Sequence, residues 1–419
     1  MPQPVSTMRI VGYGMTALGK LGRSASELMR EALQKSLRSA GLQMKDLDGL
    51  VAVPSLSHPH FMEAHYLATQ VGLLPHRGPG SVRVRTIDTG GAGPVSGLLE
   101  AARMVKDERC QAVAVVAGDA VSSLATPEFL ARADQGCRDP ENSLPSPCIP
   151  HGYDQVAQWQ LRQGLLSREQ LAMVSVLMSR QAAKHPLALT RKAHSLEDVL
   201  RSRKIAPATN LLECARRADG GAAIIVASSN FMDEYMGHDL VSSEDGVSSA
   251  RLGPVAATGG LVVLGGGEAS GPLYPPEEID ESMFSCEAAA ASAFSEAQLL
   301  PEDLQWFGLY DCYPICFLRA LEACGVTPKG TAGAWVEEMF WKTESGYDAG
   351  DFPINTHGGL LAFGAPWEVP AMYNIIEACE QLRGTATGRQ VPSVRRALVY
   401  GNGGIFSHSA VAILAQPVD

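Results

Sequence analysis

Asn355-Thr356-His357-Gly358-Gly359-Leu360-Leu361-Ala362-Phe363-Gly364-Ala365-Pro366 joins two glycine turns through an apolar run, with one histidine just before the first of them. Glycines so placed let backbone N–H groups come close to a ligand, and a helix starting just beyond adds a field that favours an oxyanion. Residues 371–382 read as that helix. Two further segments share this character: Asp88-Thr89-Gly90-Gly91-Ala92-Gly93-Pro94 and Tyr400-Gly401-Asn402-Gly403-Gly404. Each lies where a strand hands over to a helix or to another strand.

Around these segments the first 120 residues alternate two periods. Residues 9–12 read as a strand, and 24–41 as a helix with Leu28, Ala32, Leu33 and Leu37 on one face, Ser24 as cap and Gly41 as stop. Strands are expected at 50–53, 82–87 and 112–116, with helices at 62–71 and 95–107 between them. Such alternation means an α/β layered fold with a sheet covered on both faces. Residues 121–205 break the rhythm, with a Pro-rich, Cys-containing loop over 139–150 and helices near 155–165 and 168–184, and read as an inserted cap. Alternation resumes with a strand at 222–227. The last third places helices at 287–298, 315–324 and 371–382 and strands at 306–310, 397–400 and 410–414.

A faint duplication runs through this order. Ala40-Gly41-Leu42, Asp46-Leu47 and the strand at Leu50 follow one helix as Ala297-Gln298-Leu299, Asp303-Leu304 and the strand at Phe307 follow another. The division expected is an N-terminal half over 1–120 plus 206–250, the insert over 121–205, and a C-terminal half over 251–419.

Composition bounds the function. Of 419 residues, 46% are hydrophobic and 19% charged, enough apolar material for a large core. The net charge of −11, with no Lys/Arg-rich stretch against it, removes the electrostatic footprint of a nucleic-acid binder. The first residues show no basic region followed by an apolar stretch, and the longest uncharged run, 397–418, holds Asn402, His408 and three glycines. A cytoplasmic protein without a transmembrane helix is expected. Nine cysteines without CxxC or finger spacing suit reduced thiols rather than disulfides or a metal site, and Cys312 and Cys316 read as buried apolar groups. Gly265 to Gly267 lacks a trailing Gly-Lys-Ser/Thr, so nicotinamide and ATP are unsupported.

The order and spacing of the three Gly-rich segments resemble the thiolase superfamily, and more narrowly the sterol-carrier-protein-type thiolases and thiolase-like lipid-transfer proteins. Residues 355–359 are similar to the family's Asn-x-x-Gly-Gly loop, Leu309-Tyr310-Asp311 to its Tyr-Asp strand end, 380–384 to its Gln-Leu-Arg-Gly helix end and 400–404 to its C-terminal Gly-rich loop. The resemblance implies a five-layer αβαβα fold of two duplicated halves, a homodimer, acyl-CoA as ligand, and coenzyme A present only as part of the substrate, with no permanently bound cofactor or metal. The lipid-transfer branch further implies a small OB-fold, zinc-ribbon partner.

The departures from the family bear on the chemistry. The position of the thiolase nucleophilic cysteine falls at Gly91, that of the Gly-His-Pro histidine at Ala365, and that of the second cysteine at Tyr400 or Gly401. Without a thiolate no thioester with the enzyme can form by the family's route. The polar groups that remain are His357, His408, Tyr310, Asp311 and Asn355. They suit a retro-aldol cleavage of a 3-hydroxyacyl-CoA: His408 or Tyr310 as acid/base, His357 and Asn355 beside the thioester oxygen with the backbone amides of Gly91, Gly93, Gly403 and Gly404, and Asp311 as an orienting carboxylate. Arg180, Lys184, Arg191 and Lys192 are the candidates for the CoA phosphates. The alternatives are acyl transfer by another route, as in an acetyl-CoA acetyltransferase, and a non-catalytic acyl-CoA-binding subunit.

Overall fold

The computed structural model describes residues 8–76, 80–107, 109–136, 144–241 and 253–417. Its first part runs β1 (Met8–Met15), α1 (Ala25–Ala40), β2 (Gly49–Ala52), α2 (Glu63–Gln70), β3 (Arg83–Thr86), α3 (Gly93–Lys106) and β4 (Ala112–Ala120). A long excursion follows: α4 (Thr126–Gln135), α5 (Cys148–Arg162), α6 (Arg168–Ala182), α7 (Leu196–Arg201), β5 (Lys204–Ala206) and β6 (Thr209–Asn210). The chain then continues through β7 (Asp219–Ser228), α8 (Ser229–Val241), β8 (Leu261–Ser270), α9 (Cys286–Ala297), β9 (Trp306–Leu309), α10 (Pro314–Ala323), α11 (Ala332–Lys342), α12 (Pro370–Leu382), β10 (Arg396–Gly403) and β11 (His408–Ala415).

Local chemistry sets these boundaries. At the start of α1 the Ser24 hydroxyl accepts from the Glu27 amide while Glu27 accepts from the Ser24 amide, and Gly41 ends the helix in the left-handed region. Both β4 and β7 are buried along their whole lengths, as a strand covered on two faces must be.

Nine strands form one mixed sheet in the order β3-β2-β4-β7-β1-β8-β11-β10-β9. The order reads alike from its centre outward: β1-β7-β4-β2 on one side, β8-β11-β10-β9 on the other. The halves meet where β1 pairs with β8, Arg9 opposite Val262. The matching helices are α1 with α9 and α3 with α12, and even the connecting turn repeats. The Gln43 amide donates to Asp46 at 2.8 Å, and the Leu300 amide to Asp303 at 2.9 Å. The faint duplication in the sequence is a real one.

Layering follows from what the helices touch. The α3 helix packs on β2, β4 and β7 and also on β10 and β11, while α12 packs on β9 and β10, on β7 and on α3. These two helices therefore lie between the halves of the sheet. On the outer faces, α1 covers β1, β4 and β7, and α9 covers β8 and β11. The result is the expected αβαβα arrangement.

The helices α4, α7, α8 and α11 and the β5–β6 pair were not expected, and two further elements differ from the sequence reading. The strand β8 was not expected, because Gly265, Gly266 and Gly267 erase its periodicity. A Cβ on Gly266 would lie 2.1 Å from Leu99 of α3, and one on Gly267 2.1 Å from the Ala289 carbonyl oxygen of α9, so helices press on both faces and only glycine fits. In the insert, α5 begins at Cys148, inside the stretch read as loop; residues 139–143 of that stretch lie outside the described residues. No described helix is long and apolar enough to cross a membrane.

Candidate active site

The N-terminus of α3 is built against the turn between β10 and β11. Gly90 adopts φ 60°, and a Cβ there would sit 2.8 Å from the Gly404 amide nitrogen; one on Gly403 would sit 1.8 Å from the Thr89 carbonyl oxygen. Two backbones are thus in direct contact, which requires glycine on both sides.

Into this junction comes Tyr310, at the end of β9. A Cβ on Gly91 would lie 1.9 Å from the Tyr310 hydroxyl and 2.6 Å from the Asn402 carbonyl oxygen. The phenol fills the volume that a nucleophilic side chain at position 91 would need. Burial, followed by the neighbouring Cys312, Cys316, Glu368 and Asp311, raises the Tyr310 hydroxyl well above its ordinary range. It is a neutral phenol at physiological pH, able to give a proton to a basic carbon or oxygen.

Asp311, the next residue, is fully buried and accepts from the Leu360 amide at 2.7 Å and the Leu361 amide at 3.4 Å. It anchors the π-helical turn Gly359–Phe363, where a Cβ on Gly359 would lie 2.1 Å from Asp311 Oδ2. Burial pushes its carboxyl up to about 7 despite these donors. Its carboxylate is thus held by the backbone of the loop.

Asn355, at φ 45°, accepts from the Leu309 amide at 2.8 Å and donates to the Leu309 carbonyl at 2.7 Å. Both ends of its amide are used to continue the edge of β9, so Asn355 positions the loop, and the expected donation to a thioester oxygen has no free geometry. His357 is 2% exposed, with its ring against Phe363 at 5.0 Å and Nδ1 unpartnered. Burial, and then Arg389, lowers it to about 3. It is a neutral imidazole on the side of the loop that packs on α6, where a Cβ on Gly358 would strike Ala182.

His408 opens β11. Its Nε2 lies 3.4 Å from Ser96 Oγ and 3.5 Å from Glu268 Oε1, and its Nδ1 lies 3.2 Å from Ser270 Oγ. Thr89 donates to Ser96 at 3.1 Å, so His408 is linked to the Gly-rich turn through α3. Burial works to raise the Glu268 carboxyl, but hydrogen bonds from His408, Arg103 and Ser96 outweigh it and lower it to about 2. Neither Tyr310 nor the loop 355–366 is among these partners of His408. Sequence reasoning missed Glu268 because it lies on the strand whose glycines hid it.

The backbone donors divide. The Gly93 amide donates to the Gly90 carbonyl, which removes it from the expected set, and Gly403 lies in the ladder opposite His408. Gly91 is at the helix start, where amides lack intrahelical acceptors. Gly404, at φ 60°, is fixed from the insert: Tyr153 of α5 donates to its carbonyl at 2.6 Å and accepts from Asn402 Nδ2 at 2.6 Å. Tyr153 also stacks on Tyr313 at 4.7 Å. Nothing in the sequence marked Tyr153, because its partners are 250 residues away.

The basic candidates are largely held by their own chain. Arg180 donates to the Phe340 carbonyl at 2.6 Å and to Thr343 at 2.8 Å, Lys184 to the Tyr347 carbonyl at 3.1 Å, and Arg191 to the His185 carbonyl at 2.8 Å. Lys192 is exposed. The first two fasten α6 to α11 and the turn after it.

The described cysteines Cys312 and Cys316 are buried, and burial pushes the Cys316 thiol well up. Among the described residues, His185, Glu377 and Glu380 are close enough together to hold a metal ion, but Arg389 pairs with both carboxylates, with Glu377 at 2.8 Å.

Paired central helices, two matching halves and Gly-rich turns meeting at a helix N-terminus give the chain a thiolase-like fold. Residues 276–416 match the family described as thiolase C-terminal domain-like. Over 414 residues the chain is 27% identical to an acetyl-CoA acetyltransferase of Methanothermobacter thermautotrophicus, covering 97% of this chain and 99% of that protein. It is 27% identical over 272 residues to sterol carrier protein 2 of Bos taurus, covering 62% of this chain and 44% of that one. Among solved structures, the Ltp2-ChsH2(DUF35) aldolase superposes with a TM-score of 0.75 at 22% identity, over 98% of each chain.

Proposed function

We propose that this protein is a carbon–carbon lyase that cleaves a 3-hydroxyacyl-CoA by retro-aldol chemistry, without a covalent acyl-enzyme. The observation that carries the reading is the Tyr310 hydroxyl in the space a side chain at Gly91 would fill. Position 91 carries no nucleophile and has no room for one, and beside it stands a neutral phenol next to a helix N-terminus. In such a cleavage the β-hydroxyl loses its proton, the Cα–Cβ bond breaks, and a thioester enolate and a carbonyl product form. Amides of Gly91 and Gly404 are the donors suited to the enolate oxygen, and Tyr310 is the acid suited to the enolate carbon. His408, held by Ser96, Glu268 and Ser270, supports the turn rather than the reacting atoms.

Similarity to an acetyl-CoA acetyltransferase along almost the whole chain favours acyl transfer as the second reading. The two separate cleanly. Calorimetric titration with CoA and short acyl-CoA thioesters should give saturable binding, and incubation with a radiolabelled acyl-CoA followed by acid quench should leave no label on the protein. Covalent label would establish acyl transfer and remove the lyase reading. The absence of any thioester binding would remove both and leave a scaffold.

The two components in the name of the aldolase neighbour support a second subunit here, for which the family resemblance implies an OB-fold, zinc-ribbon protein. The edge strand β3, which among the described residues pairs with β2 alone, is the surface suited to a homodimer.

A further inference from the structure

Glu368 is part of the same junction and was not singled out by sequence. It lies two residues before the start of α12, as Gly91 lies two residues before the start of α3. Since the duplication pairs α3 with α12 and the two helices pack together, Gly91 and Glu368 hold corresponding places at the N-termini of the two central helices. Tyr310 touches the first of these places and feels the charge of the second.

The carboxyl of Glu368 is bonded at one oxygen only. Oε1 accepts from the neighbouring Trp367 Nε1 at 3.1 Å, whereas Oε2 is sealed from solvent and has no partner. Among the described residues it is the only buried carboxylate oxygen in that condition. The other acids nearby are spoken for: Asp311 by two amides, and Asp119 by the amides of Leu56 at 2.7 Å and Ser57 at 3.1 Å and by the Ser55 hydroxyl. An unpaired buried oxygen is costly and calls for a reason, and a group awaiting a substrate hydroxyl supplies one.

We infer that Glu368 is the general base of the proposed cleavage, accepting the proton of the substrate's β-hydroxyl; the inference rests on the lyase reading. The step balances within the junction. Glu368 takes the hydroxyl proton, and the oxygen pair forms the new carbonyl. The Cα–Cβ pair becomes the thioester enolate, which takes the Tyr310 proton at Cα. The Tyr310 phenolate, far more basic than a carboxylate, recovers a proton from Glu368. The net change is one proton moved from oxygen to carbon and one C–C bond broken, with no oxidant or added nucleophile. Basicity supports the assignment. Burial first, then Asp88 and Asp119, push Glu368 up to about 8, against the Trp367 hydrogen bond that lowers it. A base with a pKa near the working pH is the efficient kind.

The test compares wild type, Glu368→Gln and Glu368→Asp on 3-hydroxyacyl-CoA thioesters of graded chain length. Wild-type kcat/KM should rise with pH and level off above about 8, following Glu368 ionisation. Glu368→Gln should lose roughly 10²- to 10⁴-fold in kcat and lose that inflection, with binding of a saturated acyl-CoA unchanged by calorimetry. Glu368→Asp should recover part of the rate. An active wild type whose Glu368→Gln variant keeps both rate and inflection would overturn the base assignment and leave the lyase reading standing. Should the Gln variant misfold, a wild-type profile without that inflection overturns the assignment equally. A wild type that binds thioesters but cleaves none of them defeats the lyase reading and the base with it.

Discussion

The Tyr310 hydroxyl stands 1.9 Å from where the Cβ of a side chain at position 91 would be. One residue therefore excludes the other. The absence of a cysteine at position 91 and the presence of a tyrosine at the end of β9 are two sides of one steric fact.

That relationship predicts that Gly91→Ala alone overpacks the junction and destabilises the protein by roughly 1–3 kcal/mol. In a Tyr310→Ala background the same substitution should cost little, since the obstructing ring is gone, although the truncation itself destabilises by leaving a cavity. Urea denaturation of the two single variants and the double variant measures this coupling, and simple additivity of the two would show that the residues do not compete for space.

Tyr310→Phe keeps the ring and removes only the proton. Cleavage of a 3-hydroxyacyl-CoA should fall about 10²- to 10⁴-fold in kcat, while calorimetry should show acyl-CoA binding little changed. A variant with full turnover would move the acid elsewhere.

Glu368 also predicts how stability depends on pH. Its pKa is near the ordinary carboxylate value of 4.5 when unfolded and about 8 when folded. The folded state thus holds the proton more tightly, and this contribution to stability is complete below 4.5 and lost as pH rises through about 8. Thermal melts should show Glu368→Gln gaining on wild type between pH 5 and pH 9. Parallel pH profiles would show that the carboxyl ionises as readily in the folded protein as in the unfolded chain.

Tyr153→Phe removes the hydroxyl shared by Gly404 and Asn402. The buried Asn402 amide would then lack a partner, at a cost of about 1–3 kcal/mol, whereas the carbonyl of the exposed Gly404 can turn to water. Since Gly404 belongs to the turn facing α3, the KM for acyl-CoA should rise as well. Steady-state kinetics beside a denaturation curve checks both, and unchanged values in each would detach the insert from the site.

Much of the fold was legible because its signals are local. Capping at Ser24 and Gly41, the apolar stripes of α1 and α12 and the buried run of β4 each depend on neighbours within a few residues. The repeat of Asp46 and Asp303 in equivalent turns exposed the duplication for the same reason. The strand β8 was hidden because three residues in a row, Gly265 to Gly267, are glycines, chosen by the approach of α3 and α9 rather than by the strand's own preference.

The site was legible only in outline. Its Gly-rich turns, Tyr310, Asp311, Asn355 and His408 could be picked out by residue type and order. Their roles could not, since Asn355 is consumed by the Leu309 backbone and His357 is neutralised by burial, and both conditions are set by distant parts of the chain. Glu368 looked like one acid in a helix approach, and Tyr153 like one ring in an insert.

By itself the sequence determined an acidic, layered α/β protein with two related halves, three Gly-rich turns and no cysteine at the helix start. Periodicity, caps and composition act over a few residues and survive as a pattern in a string. Only the tertiary structure decided that Tyr310 fills the place beside Gly91, that Glu368 stands at the matching place on α12, and which polar groups are already spent. Those outcomes depend on burial and contact between residues far apart in the chain, which no short-range pattern records.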